Sequence, residues 1–352
     1  MYIASVAAVV VATGVLIGCE RAVIAGGPAD PDTYEGRYVG YSWAGEADGT
    51  NREEADSYIE TILELDPDGI IIDARMRFWV QIDGYRTTRQ SGNAYVSVDY
   101  AIDPEPATPG DDYAPGESMF TVYTADMMSF YAVAVSDDTI AAATIVDPIT
   151  RYRFEIKLPA DFNFDTPMRD FTVGSELLVP TERTSAAALL RPQSWDELAD
   201  NHLFDISPWS HVLNEMGELE DLDADSSIRE FLEALGMTFE QGTPQPMAAD
   251  YGYFGRGGWA GNYRAIEEDL IGRDAREYTS LVDWSISRYG DAVNEDNVFG
   301  VDVPSGATQT VQDSVDGISG ATVRMSREST SYQRALVEAG ILAEDEVVIG
   351  RF

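Results

Sequence analysis

Alternating apolar and polar positions predict that the first half of the chain is rich in β-strands. Residues 34–43 form one such segment, and residues 62–78 contain two apolar runs separated by a turn sequence at 66–69, which predicts a hairpin. Further strands are predicted at 94–102, 119–124, 130–135, 139–146 and 152–158. Because these segments are short and bounded by Asp, Gly or Pro, we expect them to pair mostly as antiparallel neighbours.

Helical patterns begin after residue 180. Ser194 with Glu197, and Ser227 with Glu230, have the spacing of N-terminal capping boxes. The second box is expected to open a helix that ends at Gly236, since glycine accepts the left-handed conformation that commonly follows a helix.

Two longer segments have helical periodicity. Residues 274–289 place apolar side chains on one face, and residues 326–339 do the same before Gly340, a helix terminator. Between these patterns and the strands, residues 251–259 are dense in glycine and aromatic residues and predict a loop.

Together the patterns predict an α+β fold, with an N-terminal antiparallel β-rich part followed by a helix-rich α+β part. The expected domains are residues 34–185 and residues 186–352. In an alternative arrangement, strands from residues 34–80 complete the second domain.

The N-terminal segment has the character of an export signal. The apolar run at residues 3–17 has the length of a secretory core segment, and the sequence Leu-Ile-Gly-Cys that ends at Cys19 resembles the bacterial lipobox. The resemblance implies a signal peptide and lipobox at 1–19, acylation of Cys19, a tether at 20–33 and a body held on the outer face of the membrane. The alternative is an uncleaved anchor helix, because no basic residue precedes the apolar run.

The composition is strongly acidic, with 62 Asp and Glu residues against 23 Lys and Arg residues and a net charge of -39. The acids are spread along the chain, which favours adaptation to a salt-rich habitat over a specific cationic partner. Such a surface repels polyanions, so nucleic acid is not expected as a partner.

The cysteine and histidine content excludes several kinds of site. Cys19 is the only cysteine, which excludes an intrachain disulfide, a CxxCH haem site and a thiolate cluster. With only two histidines, no metal site is predicted, and no catalytic residue is assigned.

A seven-residue segment near the C-terminus carries the candidate chemistry. It consists of Asp316, Gly317, Ile318, Ser319, Gly320, Ala321 and Thr322. The segment resembles the DxxSGAT flavinylation motif of the FMN-binding domain family, found in subunits of sodium-pumping quinone reductases, in Rnf-type complexes and in exported lipoproteins. The resemblance implies that these residues bind FMN and that a flavin transferase esterifies the Thr322 hydroxyl to the FMN phosphate.

The surrounding residues suit this role. The small residues at 319–321 allow close approach to the backbone, and the N-terminus of the helix predicted at 326–339 favours an anion. The chain departs from the family after the threonine, where a Thr-Ser pair is common and Val323, Arg324 and Met325 stand here.

A second match to the motif ends at Thr308, a secondary candidate for attachment. Thr322 is preferred because Pro304 stiffens the upstream copy and no helix is predicted directly after Thr308. A purely structural reading of both copies as turns before helices stays open.

The expected function is electron transfer outside the cytoplasmic membrane, with FMN as the redox group and a membrane dehydrogenase or quinone-linked protein as partner. Trp259, in the predicted loop with Tyr253, Phe254 and Arg256, is a candidate to cover the flavin ring. The alternative is a non-catalytic surface or solute-binding lipoprotein of a halophile.

Overall fold

The computed structural model describes residues 33–110, 115–127, 130–147, 150–184, 192–206, 217–254, 257–282, 325–350 and 352. The strands within these residues are β1 (Gly36–Trp43), β2 (Ser57–Leu65), β3 (Ile71–Ile82), β4 (Tyr85–Thr88), β5 (Ala94–Val98), β6 (Phe120–Thr124), β7 (Phe130–Val135), β8 (Ala141–Val146), β9 (Tyr152–Leu158), β10 (Val179–Arg183), β11 (Phe239–Glu240), β12 (Thr243–Pro244) and β13 (Met247–Tyr253). The α-helices are α1 (Ile228–Ala234), α2 (Gly258–Leu270) and α3 (Ser326–Glu338). The described chain is therefore an α+β protein with a β-rich first half.

The first sheet contains β1, β2, β3 and β4 in sequence order, all antiparallel. The predicted hairpin is confirmed as β2 and β3. Its turn is held by Asp66, whose Oδ1 accepts hydrogen bonds of 2.9 Å from the backbone N–H groups of Asp68 and Ile70. Gly69 follows with a φ of 82°, a conformation that favours glycine.

The second sheet has the order β10-β9-β8-β7-β13, again antiparallel. Every residue of β7 and β8 is buried, because both faces of this sheet are covered. One face is covered in part by the separate hairpin of β5 and β6. The edge strand β13 comes from the second half of the chain, so the two halves share this sheet.

Helix α3 packs against β1 and β2, and α2 packs against β3. The closest approach is at Gly40 of β1, where a Cβ atom would overlap the carbonyl oxygen of Ser331 and the backbone nitrogen of Ala335. Glycine at this position therefore allows the helix to lie directly on the strand.

The described residues form three hydrophobic cores, the smallest of which lies between the β5–β6 hairpin and the five-stranded sheet. The first joins the strands at 36–82 with the helices at 258–270 and 326–338, and the second lies between the five-stranded sheet and α1. Strands near the start of the chain and helices near its end thus share one core. Among the described helices, none combines the length and apolar composition needed to cross a bilayer.

The helical predictions have mixed outcomes. The box at Ser227 and Glu230 is confirmed, with both reciprocal hydrogen bonds present, and Gly236 follows α1 with a φ of 103°. The box at Ser194 opens only a 3-10 turn, Trp195–Leu198, in which the Ser194 side chain accepts from the backbone N–H of Asp196. The description of residues 186–352 as helix-rich is not confirmed, because their described part also contains β11, β12 and β13.

Two predictions are wrong in the described residues. Residues 274–282 form a turn and irregular segments instead of a helix, and Asp274 forms a bridge with Ile70 of the first hairpin. The backbone there pairs with the hairpin turn, since the Ala275 N–H donates to the carbonyl oxygen of Gly69 at 3.0 Å. The predicted loop at 251–259 is divided between the end of β13 and the start of α2.

Candidate functional site

Most of the predicted site residues lie outside the described residues. This is the case for Cys19, for Thr308 and for the seven residues from Asp316 to Thr322. The structure does describe the helix that follows the motif, together with the side chains around its first turn. The candidate site is therefore built from that end of α3.

The helix predicted after the motif is confirmed as α3, and Gly340 follows it with a φ of 73°. Its first turn is attached to the first sheet, because the Ser42 hydroxyl donates to the carbonyl oxygen of Arg327 at 2.7 Å. Ser326 is 4% exposed, and its Oγ has no hydrogen-bond partner within the described part of the chain. No described side chain caps the N-terminus of α3 at Met325.

Two arginines meet aromatic rings at this turn. The Cζ atoms of Arg89 and Arg327 lie 4.7 Å and 4.6 Å from the centre of the Phe78 ring. They also lie 5.4 Å and 5.5 Å from the centre of the Trp259 ring, and Arg327 lies 5.4 Å from the centre of the Phe352 ring. We call these five residues the arginine–aromatic cluster. Cation–π attraction stabilises both guanidiniums, but it does not neutralise their charge.

The neighbouring Gln90 holds Arg89 in place through two hydrogen bonds. Arg89 begins the 3-10 turn Arg89–Ser91, which follows β4. The side chain of Gln90 accepts from the backbone N–H of Phe78 and donates to the carbonyl oxygen of Met76, both at 3.2 Å. Since Phe78 and Met76 belong to β3, Gln90 fixes the turn that carries Arg89 against the first sheet.

Trp259 is positioned by a carboxylate from a distant part of the chain. Asp126 Oδ2 accepts from the backbone N–H of Trp259 at 2.8 Å and so caps α2. Gly258 has a φ of 63°, and a Cβ atom there would overlap the Asp126 carboxylate. The Trp259 ring packs edge-on against Phe78 at 5.1 Å, and its Nε1 is buried with no hydrogen-bond partner among the described residues.

The other aromatic residues of the predicted flavin-covering loop lie elsewhere. Phe254 is fully buried in the second core, and Tyr253 lies on β13, where its hydroxyl is 3.0 Å from that of Thr124. Arg256 lies outside the described residues. Trp259 alone among the described members of that loop belongs to the cluster.

A buried acid lies beside the cluster. Glu328 is 0% exposed, and its Oε1 accepts from the Tyr263 hydroxyl at 2.9 Å and from Arg327 Nε at 3.1 Å. Burial, and next the charge of Glu328, raise the pKa of Tyr263 well above its usual value. Tyr263 therefore stays protonated and donates to Glu328.

Arg89 is the less compensated of the two cations. Within the described residues it forms no ion pair, and its Nε is buried without a hydrogen-bond partner. Desolvation, followed by the charges of Arg327 and Arg151, lowers the pKa of Arg89 to about 10, against the smaller opposing effects of Tyr263 and Asp126. Arg89 stays charged at neutral pH, so the cluster presents positive charge in a protein of net charge -39.

Sequence analysis did not identify Phe78, Arg89 or Arg327 as site residues. Arg89 lies in a polar stretch without a motif, and Arg327 lies in the first turn of a helix whose sequence signal is its apolar face. The one available signal was the position of Arg327, five residues after Thr322.

No protein-family model matches the chain, and no curated protein or solved structure is significantly similar to it. The likeness to FMN-binding domains therefore rests on residues 316–322 themselves.

Proposed function

We propose that the protein is an exported, lipid-anchored flavoprotein that carries FMN covalently on Thr322 and transfers electrons outside the cytoplasmic membrane. The observation that carries the proposal is the order of elements: the motif at 316–322 precedes α3, and the arginine–aromatic cluster lies at the first turn of that helix. Bound FMN would supply the exchange of one or two electrons at its isoalloxazine ring.

The residues of the cluster, with the adjoining Ser326, suit FMN as a ligand. Three buried donors have no acceptor among the described residues, namely Arg89 Nε, Trp259 Nε1 and Ser326 Oγ. FMN offers phosphate oxygens and ring carbonyl oxygens, all of which accept hydrogen bonds. Arg89 and Arg327 would balance its negative charge, and Trp259 and Phe352 would pack beside its flat ring.

In this proposal the chain holds the cofactor and sets its surroundings without supplying a nucleophile. The Glu328 carboxylate fixes Arg327 through its Nε, so that the Arg327 guanidinium is oriented before any ligand arrives. The buried rings limit the access of water, which strengthens charge interactions with the cofactor.

The location and partners follow from the same proposal. Acylated Cys19 would hold the body at the membrane surface, where a flavin transferase modifies Thr322. A membrane dehydrogenase or a quinone-linked protein would then exchange electrons with the flavin.

The test of attachment uses mature protein produced with and without a flavin transferase. We expect the transferase to give yellow protein that fluoresces in a denaturing gel and gains the mass of one FMN. Thr322→Ala should abolish the label, and Thr308→Ala, the matched control, should keep it. Colourless protein with an unmodified peptide around residue 322 would leave the non-catalytic surface or solute-binding lipoprotein as the better account.

The test of anchoring uses labelled palmitate. We expect incorporation into the wild type and none into Cys19→Ala. Equal labelling of the two proteins would refute acylation at Cys19 without affecting the flavin test.

A further inference from the structure

We infer that Arg89 and Arg327 form an oxyanion-binding site for a phosphate group at the start of α3, and that this site binds phosphate without a covalent bond to the chain. The inference goes beyond the attachment of FMN, because it concerns the chain before any modification. The phosphate can come from the flavin itself or from a free phosphate ion, and the experiment below separates these sources.

The first argument is the arrangement of charge. Both guanidiniums lie within 4.7 Å of the centre of one ring, that of Phe78, so two like charges are held against the same buried ring. Burying cations in this way is unfavourable unless an anion balances them. Arg327 shares the carboxylate of Glu328, but within the described chain no carboxylate pairs with Arg89.

The second argument is the set of free donors. Ser326 and Trp259 are 4% and 5% exposed, and each has a buried polar atom with no acceptor in the described part of the chain. Leaving a buried donor unpaired costs about 1–3 kcal/mol, so unpartnered buried donors on the cluster and on the adjoining Ser326 favour the binding of an added acceptor. Arg89 Nε is a third donor of this kind. An oxyanion offers several acceptor atoms at once.

The third argument is the end of the helix itself. The first-turn N–H groups of α3 have no side-chain cap at Met325 among the described residues, and α3 has thirteen residues. Such a terminus carries partial positive charge and favours an anion. The helix end thus adds to the two arginines and does not define the site alone.

The neighbouring acids are each engaged through at least one oxygen, and Glu328 Oε2 is buried with no hydrogen-bond partner among the described residues. Glu328 Oε1 accepts from Tyr263 and Arg327, and Asp126 Oδ2 caps α2 at Trp259. Arg151, which acts on Arg89 as a further positive charge, is itself near Asp126 and Asp147. At Arg89 the repulsion from Arg327 and Arg151 exceeds the attraction of Asp126, so an added anion would relieve it.

The experiment measures phosphate binding to chain made without flavin transferase. Titration calorimetry with inorganic phosphate is carried out in molar potassium chloride, where the Debye length falls to about 3 Å and the overall negative charge no longer repels anions at a distance. We expect saturable binding of one phosphate per chain. Arg89→Gln should weaken it by about tenfold or more, because it removes a charge-assisted contact.

Two further variants test whether the effect is specific to the Arg89 guanidinium. Arg75→Gln is the matched control, since Arg75 is exposed, lies on the same strand as Phe78 and pairs with Asp73; it should bind phosphate as the wild type does. Arg89→Lys keeps the charge without the planar fork and should bind with intermediate affinity. Circular dichroism melting confirms that each variant is folded. Absence of saturable binding, or equal binding by folded Arg89→Gln, overturns the inference.

A second arm repeats the titration on protein whose mass shows attached FMN. Loss of free-phosphate binding assigns the site to the phosphate of the flavin, and retained binding assigns it to a free phosphate ion. The phosphate affinity measured for unmodified protein does not depend on this second titration. Failure of FMN attachment is read from the mass alone, so it is distinguishable from failure of the phosphate site.

Discussion

At the scale of single residues, Gly40 shows how a missing side chain decides packing. A Cβ atom at Gly40 would overlap backbone atoms of Ser331 and Ala335, whereas one at Gly36 would meet only side-chain atoms, those of Tyr38, with its hydroxyl at 2.8 Å. We expect Gly40→Ala to lower the free energy of unfolding by about 1–3 kcal/mol, the usual cost of overpacking. Chemical denaturation measures this loss, and an equal loss in Gly36→Ala would contradict the explanation.

Replacement by Met should change the free energy of unfolding in opposite directions at Arg89 and at Arg327. In flavin-free protein without phosphate, Arg89→Met removes a poorly compensated, half-buried cation and should raise the free energy of unfolding by about 1 kcal/mol. Arg327→Met leaves the buried Glu328 carboxylate without its ion pair and should lower that free energy by about 3 kcal/mol. Denaturant titrations of both variants measure whether each free energy of unfolding rises or falls. A lower free energy of unfolding in Arg89→Met would show that Arg89 serves stability more than binding.

At the scale of elements, α1 depends on its capping box. The helix has seven residues, too few to be stable alone, and Ser227 and Glu230 satisfy each other's backbone N–H groups at its start. Ser227→Ala should lower the free energy of unfolding by about 1 kcal/mol in thermal or chemical denaturation. Glu233→Gln, a change at an exposed position of the same helix, is the control, and a comparable loss there would argue against a specific role for the cap.

The elements that sequence analysis predicted are those whose signals are local. The β2–β3 hairpin is determined by Asp66 and Gly69 within its own turn, and α3 has an apolar face and a glycine terminator within one segment. Helix α2 was missed because its cap, Asp126, lies 133 positions away and its first turn is rich in glycine. The segment from 274 has helical periodicity, but its first residues pair with the distant hairpin turn at Gly69 and Ile70.

The candidate site was predictable only in part for the same reason. Its helix followed from the sequence, but the arginine–aromatic cluster joins residues from β3, the turn after β4, α2, α3 and Phe352. No local pattern brings these segments together. Long-range packing of the first core does so, and this is the part that residue spacing alone does not encode.

At the scale of the whole molecule, the charge of -39 should make stability depend on salt. Self-repulsion among surface carboxylates opposes folding, and molar salt screens it. We expect the melting temperature to rise by several degrees between low and molar potassium chloride. An uncharged osmolyte at equal osmolality is the control, and a melting temperature that does not rise with salt contradicts halophilic adaptation.

The two halves of the chain are interleaved. β13 completes a sheet whose other strands lie between residues 130 and 183, and α2 and α3 cover a sheet formed by residues 36–88. A boundary near residue 185 therefore does not separate the hydrophobic cores, since the first core draws on both sides of it.

This interleaving has a consequence for the order of events during synthesis. The strands at 36–88 leave the ribosome long before residues 326–338, so the apolar face bearing Ile59 and Leu63 has no covering helix while most of the chain is still being made. Contacts this distant along the chain form slowly, and exposed apolar strands aggregate. The nascent chain therefore keeps this face uncovered until translation is nearly complete, and it is prone to aggregation throughout that interval.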